Sequence, residues 1–105
     1  MVILETHAFT RRIVELPSDG EYARLQAELV ARPDAGRLMP GTGGLRKIRW
    51  AAKGHGKRGG VRAIYYWHVA GHQLLMLLVY PKGEHDDLTT RQRQMLRKIV
   101  EDEYP

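Results

Sequence analysis

VRAIYYWHVAGHQLLMLLVY, residues Val61 to Tyr80, is the stretch that decides the fold. Two apolar runs, Val61–Val69 and Gln73–Tyr80, are rich in aromatic, β-branched and aliphatic residues, the types that fit a pleated surface. Ala70-Gly71-His72 joins them. So short a connection permits only an antiparallel return, so the segment is expected to be a hairpin. Pro81-Lys82-Gly83 ends it.

Upstream, Leu45–Trp50 alternates, with Lys47 and Arg49 pointing one way and Ile48 and Trp50 the other. This adds a third strand. A Gly- and Lys-rich loop, 51–60, separates it from the hairpin. Residues 36–44 hold Gly36, Pro40, Gly41, Gly43 and Gly44 and are expected to be a loop. Near the start, Val2–Glu5 is a short strand. Thr6 can cap a helix carrying Phe9, Ile13 and Leu16, which Pro17 ends. Ser18 and Glu21 form a capping box for a second helix, whose core stripe is Tyr22, Leu25 and Leu29. Thr89 and Gln92 open the last helix. Its apolar face is expected to hold Leu88, Gln92, Met95, Leu96, Ile99 and Val100, with Arg91, Arg93, Arg97 and Lys98 facing out. The expected architecture is α+β in the order β-α-α-β-β-β-α, one domain over 1–105, with a mainly antiparallel sheet and the helices packed on one face.

Composition narrows the class. The 105 residues are 43% hydrophobic and 28% charged, ordinary for a globular chain with one modest core. There is no cysteine, so disulfides and thiolate chemistry are excluded. Acid at Glu5 interrupts the start before any signal-like apolar run, and Leu74–Tyr80 is too short to span a bilayer. No membrane role and a cytoplasmic setting are expected.

Charge placement is the strongest functional signal. From Ala35 to Gly83 there is no Asp or Glu, yet nine basic residues fall there: Arg37, Arg46, Lys47, Arg49, Lys53, Lys57, Arg58, Arg62 and Lys82. The twelve acids divide equally between the two ends. A field of one sign over several elements suits a phosphate backbone. Gly54-His55-Gly56-Lys57-Arg58-Gly59 matches G-x-G-x-x-G, but a dinucleotide site needs a helix next and a strand follows. Lys53, His55, Lys57 and Arg58 of this loop, with Arg46, are instead expected to dock on RNA. No histidine pair has metal-ligand spacing, and no carboxylates cluster in the basic segment, so neither metal nor cofactor is expected. Without a metal, cleavage of a nucleic acid points to RNA, whose 2′-OH is its own nucleophile. Such a reaction needs a base, cations for the phosphate, and an acid for the leaving oxygen. Trp50, Tyr65, Tyr66, Trp67 and Tyr80 interleave with the cations and could stack on bases or fill the core.

Leu45-Arg46-Lys47-Ile48-Arg49-Trp50, the Gly/Lys/Arg loop, and Gly60-Val61-Arg62-Ala63-Ile64-Tyr65-Tyr66-Trp67 together resemble the RelE/ParE superfamily of toxins. Tyr80-Pro81-Lys82-Gly83-Glu84, then Asp87-Leu88-Thr89 and a terminal helix, resembles its HigB-type branch. The resemblance implies a RelE-like fold and the toxin of a type II toxin–antitoxin system. It implies a ribosome-dependent, metal-independent mRNA endonuclease that cuts in the A site, and a cognate antitoxin, of helix-turn-helix type in the HigB branch. Residue by residue, it implies catalytic roles for Lys47 and Arg49 around Ile48, for Arg62, and for Lys82. The RelE pattern also has a tyrosine on the C-terminal segment; here Leu88 stands near that place and Tyr104 lies farther on. Tyr80, Lys82 and His85 are the remaining candidates for proton transfer. Two alternatives stay open: a ParE-like inhibitor of DNA gyrase, and a non-catalytic RNA- or ribosome-binding module.

Overall fold

The computed structural model describes residues 1–15, 19–50, 60–84 and 88–105, without the side chains of Asp19 and Trp50. The elements are β1 (Val2–Glu5), α1 (His7–Ile13), α2 (Asp19–Ala31), β2 (Arg37–Leu38), β3 (Leu45–Trp50), β4 (Val61–His68), β5 (Gln73–Pro81) and α3 (Thr90–Glu103). They build a five-stranded sheet in the order β1-β5-β4-β3-β2. β1 runs parallel to β5 and the other three pairings are antiparallel. The hairpin expected over 61–80 is therefore the centre of the sheet.

Two expectations need correction. The Gly-rich stretch 36–44 is not all loop, because Arg37 and Leu38 pair with Lys47 and Arg46 as a fifth strand. Thr42 staples the turn that follows: its hydroxyl donates to the Met39 carbonyl (2.6 Å) and accepts from the Leu45 N–H (3.2 Å). A two-residue strand has no periodicity to detect. Nor do the helices share one face. α1 and α2 cover a core of Phe9, Ile13, Leu25, Leu29, Ile48, Val61, Ala63, Tyr65, Leu74, Met76 and Val79. α3 covers the other face, with Met39, Leu45, Ile64, Leu75, Leu77, Tyr80, Leu88, Leu96 and Val100. The physical cause is that β4 and β5 are apolar on both faces, and each face must be buried.

β5 holds a β-bulge. Ile64 pairs with Leu78 and Tyr65 with Met76, leaving Leu77 without a partner on β4. The extra residue reverses the alternation, so Leu77, Leu78 and Tyr80 all serve the α3-side core. Thr6 closes the bulge from the β1 side. Its hydroxyl donates to the Leu77 carbonyl (2.8 Å) and accepts from the Phe9 N–H (3.1 Å), capping α1 as its sequence position suggested.

Within α2, Leu25 and Leu29 are buried and Tyr22 packs against the same core, as the stripe implied. The proposed partners Leu16, Pro17 and Ser18 lie outside the described residues. α3 has the full Thr89–Gln92 capping box, but its apolar face is narrower than expected. Leu96 and Val100 are buried whereas Met95 and Ile99 are exposed. A helix resting on a sheet buries one edge of a broad stripe. The edge used here continues to Tyr104, which stacks on His68 at 3.9 Å and donates a hydrogen bond to Gln73 Oε1 (2.9 Å).

Candidate functional site

Where the chain enters β2, the sheet opens. β2 pairs only with Lys47 and Arg46, so Ile48 and Arg49 of β3 lie beyond its reach. The preceding residues turn away over the α2 side. Tyr65 holds them there, its hydroxyl donating to the Pro33 carbonyl (2.7 Å) and accepting from the Gly36 N–H (2.9 Å). Gly36 allows the close approach: a Cβ there would stand 2.7 Å from the Tyr65 ring and 3.1 Å from the Lys47 carbonyl oxygen. The result is a cleft of about 590 Å³ lined by Glu28, Ala35, Arg37, Lys47, Ile48, Arg49, Arg62, Lys82 and Gly83.

Cross-strand register concentrates charge in this cleft. Arg37 stands directly opposite Lys47, and Arg49 directly opposite Arg62. Directly opposed side chains share a sheet face, and Lys47 and Arg49, two residues apart on β3, share it too. Like charges placed directly opposite each other destabilise a sheet, a local cost that an anion held against Arg37 and Lys47 would relieve. Among the described residues no carboxylate forms an ion pair with Arg37, Lys47, Arg49 or Lys82. Arg49 and Lys82 are exposed and Lys47 and Arg62 are half-buried. Lys47, Arg49 and Lys82 are thus anchored in the sheet or its terminal turn yet remain open to a ligand.

The Lys82 turn is tied down on both sides. The Lys82 N–H donates to the Gly60 carbonyl (3.0 Å). Two residues on, Glu84 receives a two-pronged hydrogen bond from Arg12 of α1 (2.9 and 2.8 Å). That bond is the main reason the Arg12 guanidinium is held above its ordinary pKa. Gly83, with φ of +94°, takes a left-handed conformation that side chains resist.

The sequence candidates divide as follows. Lys47, Arg49, Arg62 and Lys82 line one cleft, whereas Tyr80 does not. Tyr80 faces Arg62 across the ladder but is 1% exposed, one of the largest fully buried side chains of the α3-side core. The bulge at Leu77 turns it inward, so a surface role for it does not hold in this structure. Arg46 points to the opposite face from Lys47, where its guanidinium donates to the Gly36 carbonyl (2.8 Å) and more weakly to that of Asp34 (3.3 Å). It braces the loop beside α2 and is not in the cleft. Tyr65 is likewise fully buried as core, and burial raises its phenol above the usual pKa. Lys53, His55, Lys57, Arg58 and His85 lie outside the described residues, as does the Trp50 side chain. Among the described residues no three His, Cys, Asp or Glu side chains gather as a metal site would require.

Two cleft residues escaped the sequence reasoning. Arg37 looked like part of a loop; only its pairing with Lys47 puts it in the array. Glu28 belongs to the acidic N-terminal third, far along the chain from the basic segment, and the α2–β2 connection carries it back to the cleft. Its one available signal was helical phase: Glu28 adjoins the buried Leu29 and lies three residues after the buried Leu25.

No protein-family model matches the chain. Among solved structures, a chain in the crystal structure of the intact E. coli RelBE toxin–antitoxin complex aligns with a TM-score of 0.55. The alignment covers 74% of this chain and 92% of that one, at 17% sequence identity. The likeness establishes a shared mixed α+β fold. No described helix is long and apolar enough to cross a membrane.

Proposed function

We propose that this protein is the toxin of a type II toxin–antitoxin pair, acting as a ribosome-dependent endoribonuclease that cuts mRNA in the A site without a metal. The observation that carries the reading is the pair of like-charge oppositions, Arg37–Lys47 and Arg49–Arg62, lining one cleft with Lys82. The fold shared with a chain of the RelBE complex supports the toxin class, and the motifs resembling the RelE/ParE superfamily support the RNase branch. The partners are then a cognate antitoxin, of helix-turn-helix type if the HigB-like motifs hold, and the ribosome with its mRNA.

In this scheme the 2′-OH attacks the adjacent phosphorus. Arg49 and Arg62 stabilise the charge that builds on the phosphate oxygens, and Lys47 and Lys82 bind the backbone or move protons. Removing one preorganised donor of developing charge costs about 10²–10³ in rate. Arg62→Ala is therefore expected to lose most cleavage while the protein stays folded. Induction in cells followed by mapping of mRNA 5′ ends measures this. Undiminished cuts in Arg62→Ala sink the assigned role. DNA damage and filamentation with intact mRNA would favour a gyrase inhibitor, and salt-sensitive RNA binding without new ends a non-catalytic module.

A further inference from the structure

The cleft contains one group whose chemistry differs from the rest. Glu28 of α2 lines it together with Arg37, Lys47, Arg49, Arg62 and Lys82. Its side chain is exposed, and among the described residues it makes no hydrogen bond or ion pair. A carboxylate left unpaired amid five cations is not there to hold the helix, whose contacts run through Leu25 and Leu29. Nor does it suit simple phosphate binding, which it opposes by repulsion. Metal-free cleavage of RNA, however, requires one acceptor for the 2′-OH proton, and every other polar side chain among the described residues lining this cleft is a cation that must first lose a proton before it can accept one. From this we infer that Glu28 is the general base. The assignment rests on the ribonuclease reading and supplies an acceptor in its ordinary charge state, which the cations are not.

The step balances with groups in the cleft. The Glu28 carboxylate accepts the 2′-OH proton as the 2′-oxygen bonds to phosphorus. The bond from phosphorus to the 5′-oxygen breaks with its electron pair, and that oxygen takes a proton from the Lys82 ammonium. The products are a 2′,3′-cyclic phosphate and a 5′-hydroxyl. The neutral acid and amine then exchange protons through water. The titratable groups that line the cleft with Glu28 are Arg37 of β2, Lys47 and Arg49 of β3, Arg62 of β4 and Lys82 after β5; the Tyr65 phenol senses the Glu28 charge, and Arg24 of α2 and Arg32, just past its end, stand four residues before and after Glu28.

The test is single-turnover cleavage of a short mRNA programmed on purified ribosomes, followed across pH. Wild-type protein is expected to show a rate that rises with pH along an acid limb. E28Q should cleave about 10²–10⁴-fold more slowly, lose that limb, and bind the programmed ribosome at least as tightly, because a repulsive charge is gone. E28D, which keeps the base on a shorter stem, should recover the limb and part of the rate. If wild type cleaves and E28Q matches it in rate and pH profile, Glu28 is not the base. A slower E28Q that retains the limb, or loses binding in proportion to rate, also overturns the assignment. Wild-type protein that leaves the mRNA uncut overturns the ribonuclease reading itself.

Discussion

Tyr65 shows how much of the site hangs on single side chains. Its ring is buried beneath Gly36, and its hydroxyl both donates to Pro33 and accepts from Gly36. Tyr65→Phe removes both bonds and leaves a buried N–H and carbonyl facing carbon. The expected loss is about 1–3 kcal/mol in urea unfolding. The same variant has a pH signature. Burial raises the Tyr65 phenol above its ordinary value of about 10, so between that value and the higher folded one the unfolded chain gives up a proton that the native state keeps. This contribution is fully present below pH 10 and is lost as pH rises beyond it. The alkaline fall in stability should be shallower in Tyr65→Phe than in wild type. An unchanged slope would mean that the phenol titrates alike in both states. Arg37, Arg49 and Lys82 differ in kind: exposed cations in the sheet or its terminal turn, whose loss should reach function before stability.

At the level of elements, α3 is held at its two ends. The Thr89 hydroxyl accepts from the Gln92 N–H (3.1 Å) while the Gln92 side chain accepts from the Thr89 N–H (2.8 Å). At the far end Tyr104 stacks on His68 and bonds to Gln73. Thr89→Ala should cost about 1 kcal/mol, read as a lower urea midpoint with faster hydrogen exchange in the first turn. Full retention of the midpoint would show that packing of Leu96 and Val100 alone fixes the helix. The strands have a comparable device in the Leu77 bulge, which Thr6 closes. The bulge decides that Tyr80 is core and that Lys82, two residues later, emerges at the cleft. Met95 and Ile99 stay exposed because the sheet accepts only one edge of the helix.

For the whole molecule, function follows from how the charge is gathered. Basic residues from β3, β4 and the turn after β5 reach one opening because antiparallel strands bring distant positions into register. If Lys47, Arg49, Arg62 and Lys82 each neutralise one phosphate, log K for a single-stranded RNA should fall with log salt at a slope of about −3. Lys82→Ala should make that slope shallower by about 0.7. Titration of a labelled oligonucleotide at several salt concentrations measures both. A slope near zero would remove the cleft as a phosphate site.

The amino-acid order alone determined the hairpin at 61–80, the third strand beside it, three helices with two of their caps, and an acid-free segment carrying the cations. These are local properties: residue type, alternation, and capping groups three residues apart. It could not reveal that the helices divide between two faces, because a strand apolar on both sides does not say which helix covers which. The two-residue β2 was hidden for want of any period, and the inward turn of Tyr80 by a bulge that alternation cannot foresee. Lys47, Arg49, Arg62 and Lys82 were legible as candidates because their charges stand out along the chain. Only the tertiary structure decided that they share a cleft with Arg37, that Arg46 and Tyr80 do not belong to it, and that Glu28 does. The reason is distance along the chain: register and crossover set these contacts between residues tens of positions apart, and no local pattern encodes them.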